Sequence, residues 1–183
     1  DVILERDDSN QKRASYTRSL NYAGGIGGII SSYSASSASS QYLYDGSDSV
    51  TSITDSSGQA SQTYTYDAFG NILLKSGAGT NPYQFQTKHT SPTTGLVYFG
   101  ARYYNPLIGR FITQDPSGMV DGPNLYLYVN NNPVNLIDPW GLCKKNKRTG
   151  WWPKWSEVFI PGYGIYGGPI RTDSTFTLKP IDS

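Results

Sequence analysis

Few residues in this chain can carry a reaction, and the most suggestive are two acidic turns. Asp115-Pro116-Ser117-Gly118-Met119 and Asp138-Pro139-Trp140-Gly141-Leu142 are separated by the eighteen residues 120–137. Asp first, Pro second and Gly fourth make a good type I turn, so local geometry alone explains each tetrapeptide. Arg102 and Arg110, upstream, are of the type that grips a carboxylate bidentately, in a catalytic or a buried structural arrangement. The other reactive side chains are isolated. His89, the one histidine, sits in a polar QTKHTSP stretch with no Ser or Cys pattern beside it, which suits a structural residue better than a general base. Cys143 is the one cysteine, so an internal disulfide and a multi-cysteine zinc site are excluded. With no second histidine to activate it, a thiol nucleophile is disfavoured.

Such turns need a scaffold, and composition points to strands. Of 183 residues only 16% are charged while 14% are aromatic, with 15 Tyr, 20 Gly and 11 Pro. Tyr favours pleated, half-buried surfaces, and Gly and Pro punctuate them with turns. No window carries a helical period. The formal net charge of +1 creates no field to attract nucleic acid, and no apolar run reaches membrane-spanning length. The chain opens on Asp1 without a leader and stops at KPIDS without a closing turn, which predicts a piece of a longer protein.

Along the chain, one unit recurs. Tyr44-Asp45-Gly46 returns as Tyr66-Asp67-Ala68, 22 positions later, each time after Tyr-x-Tyr and before a turn. Periods of this length predict stacked hairpins that bury their faces against neighbours. Tyr42, Tyr44, Tyr64 and Tyr66 are expected to share one face, with Ser57-Gly58 and Gly70-Asn71 in the turns. The Gly/Ser-rich residues 24–40 carry Ile26, Ile29, Ile30 and Tyr33, apolar content that favours a strand over a linker.

The YDGSDSV and YDAFGN units resemble YD repeats, and Pro82–Leu142 resembles the Rhs repeat-associated core. The match runs through TTGLVYFGARYYNPLIGRFITQDPSG and GPNLYLYVNNNPVNLIDPWGL, so that with the repeats it covers roughly three quarters of the chain. The resemblance implies a mainly β fold: YD-repeat hairpins at 1–81 forming part of a β-shell, and an aromatic-rich core segment at 82–142. The start of an incomplete effector, as a short irregular extension, is expected at 143–183. It also implies that the core cuts the chain after the Leu of the second motif, at Leu142-Cys143. In that chemistry one carboxyl stays protonated to polarise the carbonyl while an ionised partner activates water, and Asp115 and Asp138 fit if their turns meet. Arg102 and Arg110 are the supporting cations. Related cores often carry acids near Ser91 and at Asn105, so an alternative pair would leave this chain impaired in cleavage.

Beyond the cut, Tyr163-Gly164-Ile165-Tyr166-Gly167-Gly168 resembles the calcium loop of secreted phospholipases of the A-two class. That resemblance implies calcium held by main-chain carbonyls of Tyr166, Gly168 and Ile170 in the complete effector, with no cofactor in the core. The chain ends before the helix that would bear the catalytic His-Asp pair, and a Gly/Tyr-rich turn segment of another effector fits as well. Residues 151–183, with Trp151, Trp152 and Trp155, are expected to pack poorly on the core. The leading functional expectation is a secreted or cell-surface delivery shell. It would hold its own C-terminal toxin as cargo, use secretion machinery and have an immunity protein as counterpart. A non-cleaving adhesion module that binds carbohydrate or another cell is the alternative.

Overall fold

The computed structural model describes residues 2–18, 28–35 and 38–146. The chain divides into a unit at Asp1–Trp151 and a second at Trp152–Ser183, and all described residues belong to the first. Among them the structure is β throughout, with three short 3-10 turns.

Seven strands follow one another in an antiparallel meander: β1 (Val2–Arg6), β2 (Lys12–Arg18), β3 (Ile29–Ser34), β4 (Ser39–Tyr44), β5 (Val50–Thr54), β6 (Ala60–Tyr66) and β7 (Ile72–Ser76). Alternation puts Tyr16, Ile29, Tyr42, Val50, Ile53 and Tyr64 on one buried face, with Tyr44 and Tyr66 packed against them. The sheet is open, and Leu43, Leu73 and Leu74 are exposed.

Four hairpins of this sheet close by the same device. In each, an Asp Oδ1 accepts the backbone N–H groups two and four residues on: Asp7 from Ser9 and Gln11, Asp45 from Ser47 and Ser49, Asp55 from Ser57 and Gln59, Asp67 from Phe69 and Asn71, all at 2.8–3.0 Å. The residue three positions after the Asp is left-handed: Asn10, Asp48, Gly58 and Gly70 have φ between 60° and 90°. Asn, Asp and Gly are the residues that tolerate this conformation, and a register shift beside each turn takes up the extra residue. The Tyr of the YD unit serves the sheet, since Tyr44 and Tyr66 donate their hydroxyls to the Ile29 and Val50 carbonyls at 2.6 and 2.8 Å.

From Asn81 the chain builds a second layer with its own sheet, in order β11 (Arg110–Phe111), β10 (Tyr103–Asn105), β9 (Val97–Tyr98) and β8 (His89–Thr90). The hairpins and the core form separate sheets, joined by docking and not by strand pairing. Turn residues every few positions hold the core strands to two or three residues, too short to extend the meander. Many contacts fall on the YD turns, where Gln86 N donates to Ser49 Oγ at 3.1 Å, Thr87 Oγ1 to the Asp48 carbonyl at 2.8 Å, and Tyr104 OH to the Phe69 carbonyl at 2.8 Å, while Tyr83 packs edge-on against Tyr16 of β2. A Cβ at Gly70 would lie 2.5 Å from the Phe85 ring, so this turn needs glycine for contact as well as conformation.

Phe85, Val97, Phe99, Tyr104, Phe111, Tyr128 and Val129 form the core of the second layer. Most of its rings pack edge-to-face or tilted, with Phe99 and Phe111 at 5.6 Å and 88° and Tyr104 and Tyr128 at 4.5 Å, while Phe85 and Tyr104 stack at 6.0 Å. A final pair, β12 (Leu136–Ile137) and β13 (Lys145–Asn146), brackets the second Asp-Pro-x-Gly turn. His89, expected in a loop, is exposed on β8 with its ring edge-on to Tyr83.

Candidate functional site

Both Asp-Pro-x-Gly units are variants of the Asp-anchored turn of the hairpins, the first holding only the N–H two residues on. Asp115 Oδ1 accepts Ser117 N at 2.8 Å, and the Gly118 N–H closes onto the Asp115 carbonyl at 3.1 Å. Asp138 Oδ1 accepts the N–H groups of Trp140, Gly141 and Leu142 at 3.2, 2.8 and 3.1 Å. Gly141 is left-handed at φ 70°, and an added Cβ would meet Arg102 N at 3.2 Å.

The two turns meet on Arg102. Its Nη2 lies 2.8 Å from Asp115 Oδ2 and 3.3 Å from Asp138 Oδ2, with all three side chains almost wholly buried. Nε donates to the Gly141 carbonyl at 2.5 Å, Nη1 to the Leu125 carbonyl at 3.1 Å, and the guanidinium lies 3.7 Å from the Phe111 ring centre. This one side chain therefore fixes both carboxyls and the backbone one residue before Leu142.

Two ionised carboxylates against one guanidinium make the triad itself net negative, with the buried Lys88 ammonium as a further cation acting on Asp138, and one retained proton makes the triad neutral. Burial pushes the Asp138 carboxyl up to about 6, against the pull of Arg102 and the N–H groups of Leu142 and Trp140. Because the carboxyls share Arg102, that proton belongs to the pair.

The Leu142-Cys143 bond lies within this cluster. Leu142 is buried, its N–H is held by Asp138, and its carbonyl accepts from Ser117 Oγ at 3.1 Å. Ser117 Oγ also contacts Asp115 Oδ1. On the far side, Lys144 N donates to Asp121 Oδ2 at 2.6 Å and its Nζ pairs with Asp121 Oδ1 at 3.2 Å, while β13 pairs with β12. Lys88, buried, donates Nζ to the Pro139 carbonyl at 2.6 Å, and burial pulls its ammonium down to about 8. Burial pushes the Cys143 thiol up to about 12, which keeps it from acting as a thiolate.

Arg110 is exposed on β11 and stands apart from the pair, so of the two arginines Arg102 alone supports it. Asn105 Oδ1 caps Leu107 N and Ser91 Oγ caps Thr94 N, both as turn residues. Ser117, Asp121 and Lys88 touch the site without a role expected from sequence; only Ser117 carried a signal, as a hydroxyl inside the first motif. Tyr166, Gly168 and Ile170, with the tryptophans at 151, 152 and 155, lie outside the described residues. No group of metal-ligating side chains occurs among the described residues, and no described helix is long and apolar enough to cross a membrane.

Known proteins share this architecture. The tRNA3(Ser)-specific nuclease WapA of Bacillus spizizenii is 36% identical over 147 residues, 76% of this chain and 6% of that protein. Toxin subunit YenC2 of Yersinia entomophaga is 57% identical over 50 residues, 27% of this chain and 5% of that protein. Double-stranded DNA deaminase toxin A of Burkholderia cenocepacia is 38% identical over 96 residues, 50% of this chain and 7% of that protein. The chain thus spans well under a tenth of the length of these relatives. In the crystal structure of TcdB2-TccC3-TEV, 76% of this chain aligns with 7% of that one at a TM-score of 0.62 and 28% identity. The Teneurin YD-shell family profile matches residues 27–134, the hairpins from β3 onward and the Arg102 core together, and the chain belongs to that family.

Proposed function

We propose that this chain is the closing segment of a toxin-delivery shell and cuts its own backbone at Leu142-Cys143 to free the cargo beyond. The observation that carries the reading is the pair of buried carboxyls, Asp115 and Asp138, sharing Arg102 beside the Leu142 backbone. Water adds to the Leu142 carbonyl carbon and gives its proton to the ionised carboxyl, while the protonated carboxyl supplies one to the carbonyl oxygen. The C–N bond then breaks as the Cys143 nitrogen takes a proton, leaving the pair as it began. Holding the bond beside the pair makes the reaction intramolecular.

The relatives support the shell role. A nuclease, a deaminase toxin and a toxin subunit share this segment. Proteins named for such different activities have the carrier in common, and the chemistry on the target belongs elsewhere in each. Export to the cell surface or medium, secretion machinery and an immunity protein belong to the same proposal. So does a calcium-dependent lipid-hydrolysing cargo with main-chain ligands at Tyr166, Gly168 and Ile170. Expression of the full chain should yield fragments ending at Leu142 and beginning at Cys143, with Asp115→Asn and Asp138→Asn each leaving folded, intact protein by mass spectrometry and circular dichroism. An uncut wild-type chain, or cutting in both variants, would reduce the motifs to turns.

A further inference from the structure

The hydroxyl of Ser117 stands between an acid and a carbonyl. It contacts Asp115 Oδ1 on one side and lies 3.1 Å from the Leu142 carbonyl oxygen on the other. Leu142 is 25 residues away in sequence, so only the meeting of the two turns creates this bridge. A hydroxyl has one proton and cannot donate in both directions. With Asp115 ionised, that proton points to the carboxylate and the Leu142 oxygen faces a lone pair. With Asp115 protonated, the carboxyl donates to Ser117 Oγ and Ser117 donates to the Leu142 carbonyl.

We infer that Ser117 is a catalytic residue of the cleavage proposed above, relaying the proton of Asp115 to the Leu142 carbonyl oxygen. The inference rests on that reading and assigns the two carboxyls different tasks: burial favours the pair's proton on Asp138, so the relay operates from the state in which that proton has passed to Asp115. As water bonds to the Leu142 carbon and passes a proton to Asp138, the carbonyl π pair moves onto oxygen, which takes the Ser117 proton while Ser117 takes that of Asp115. On collapse the C–N bond breaks, Cys143 nitrogen receives the Asp138 proton, and one hydroxyl of the tetrahedral centre returns its proton through Ser117 to Asp115. Atoms and charge balance, and the pair is ready as before.

The shell contains an internal control. Asp55-Ser56-Ser57-Gly58 has the same turn, with Ser57 Oγ donating to Asp55 Oδ1 at 2.6 Å, but it is exposed. Ser57→Ala removes an equivalent turn hydrogen bond with no carbonyl at stake.

The test is a time course of the full chain made by cell-free translation. Product is read with a cyanobenzothiazole probe, which labels the amino-terminal cysteine that cutting creates at Cys143, the single cysteine of the chain. Ser117→Ala should slow cutting by about 100-fold, the usual cost of removing one donor to a developing oxyanion. Ser117→Thr keeps a hydroxyl and should restore most of the rate, and Ser57→Ala should cut like wild type. In mixtures of light and heavy water the wild-type rate should follow a bowed, multi-proton dependence that Ser117→Ala straightens. Undiminished cutting by Ser117→Ala, with Asp115→Asn and Asp138→Asn still blocked, overturns the relay and leaves the carboxyl pair standing. Cutting in those two variants, or none in wild type, overturns both.

Discussion

The turn at Asp55–Gly58 and the turn at Asp115–Gly118 are built alike and do different work. Each has Asp first, Ser third with its Oγ on the Asp carboxyl, and a left-handed Gly fourth. In the shell the turn is exposed, and hydrogen bonds led by that from Ser57 hold the Asp55 carboxyl below the usual range, which favours its ionised form, and the turn only closes a hairpin. In the core the same turn is buried, its second carboxyl oxygen is held by Arg102, and a second such turn faces it. Local sequence specifies the turn. What decides whether its acid is a fastener or a reagent is burial and the company of a second carboxyl.

Breaking that company should have the largest effect. Arg102→Met leaves two carboxyls buried without their cation and frees the Gly141 and Leu125 carbonyls. It should abolish cleavage and lower stability by about 3–5 kcal/mol, measured by denaturant unfolding, because a stranded buried charge is costlier than a lost surface pair. Replacing Asp138 by Asn in the same protein should recover part of that stability but none of the cleavage.

A smaller effect is expected at Gly141. Alanine there must adopt φ 70° with its Cβ 3.1 Å from Phe99 Cβ and 3.2 Å from Arg102 N. Gly141→Ala should cost about 1–3 kcal/mol by thermal unfolding and slow cutting by displacing the Leu142 carbonyl from Ser117.

The effect of pH on stability is expected to be graded. The folded pair keeps a proton up to about 6, whereas an unfolded Asp releases it near the ordinary value of about 4. Between these values the folded state binds more protons, so the site's contribution to stability is greatest below about 4 and falls as pH rises towards about 6. Cleavage should slow as pH is raised beyond about 6, approaching about tenfold per unit as the proton is lost. A flat profile from pH 5 to 8 would mean that the pair holds no titrating proton, and Asp55, held below the usual range, works in the opposite sense, its stabilisation being lost only as pH falls into the acid range.

Much of the architecture is legible in the sequence. The Tyr-x-Tyr alternation and the YD spacing locate β4 and β6, and the Gly-rich composition announces turns. The turn at Asp7 is harder to see because Arg6, not Tyr, precedes it, whereas Ser57-Gly58 marks the turn at Asp55; the wider rule is Asp followed three positions later by Asn, Asp or Gly, and it also covers Asp115 and Asp138. The choice between Arg102 and Arg110 was illegible, because both flank short strands and only the packing against Phe111 buries one of them. Ser117 was hidden for the same reason. Its local signal is that of any turn serine, and its second partner, Leu142, comes from a distant part of the chain.

The central claim is that Asp115 and Asp138, joined on Arg102, hydrolyse the Leu142-Cys143 bond. The most direct measurement is mass spectrometry of the full chain synthesised in water enriched in heavy oxygen. The account predicts a fragment whose terminal carboxyl, at Leu142, carries one heavy oxygen, and no such fragment from folded Asp115→Asn or Asp138→Asn protein. A wild-type chain that stays whole, a terminus at another residue, or the same labelled terminus in both variants would contradict it.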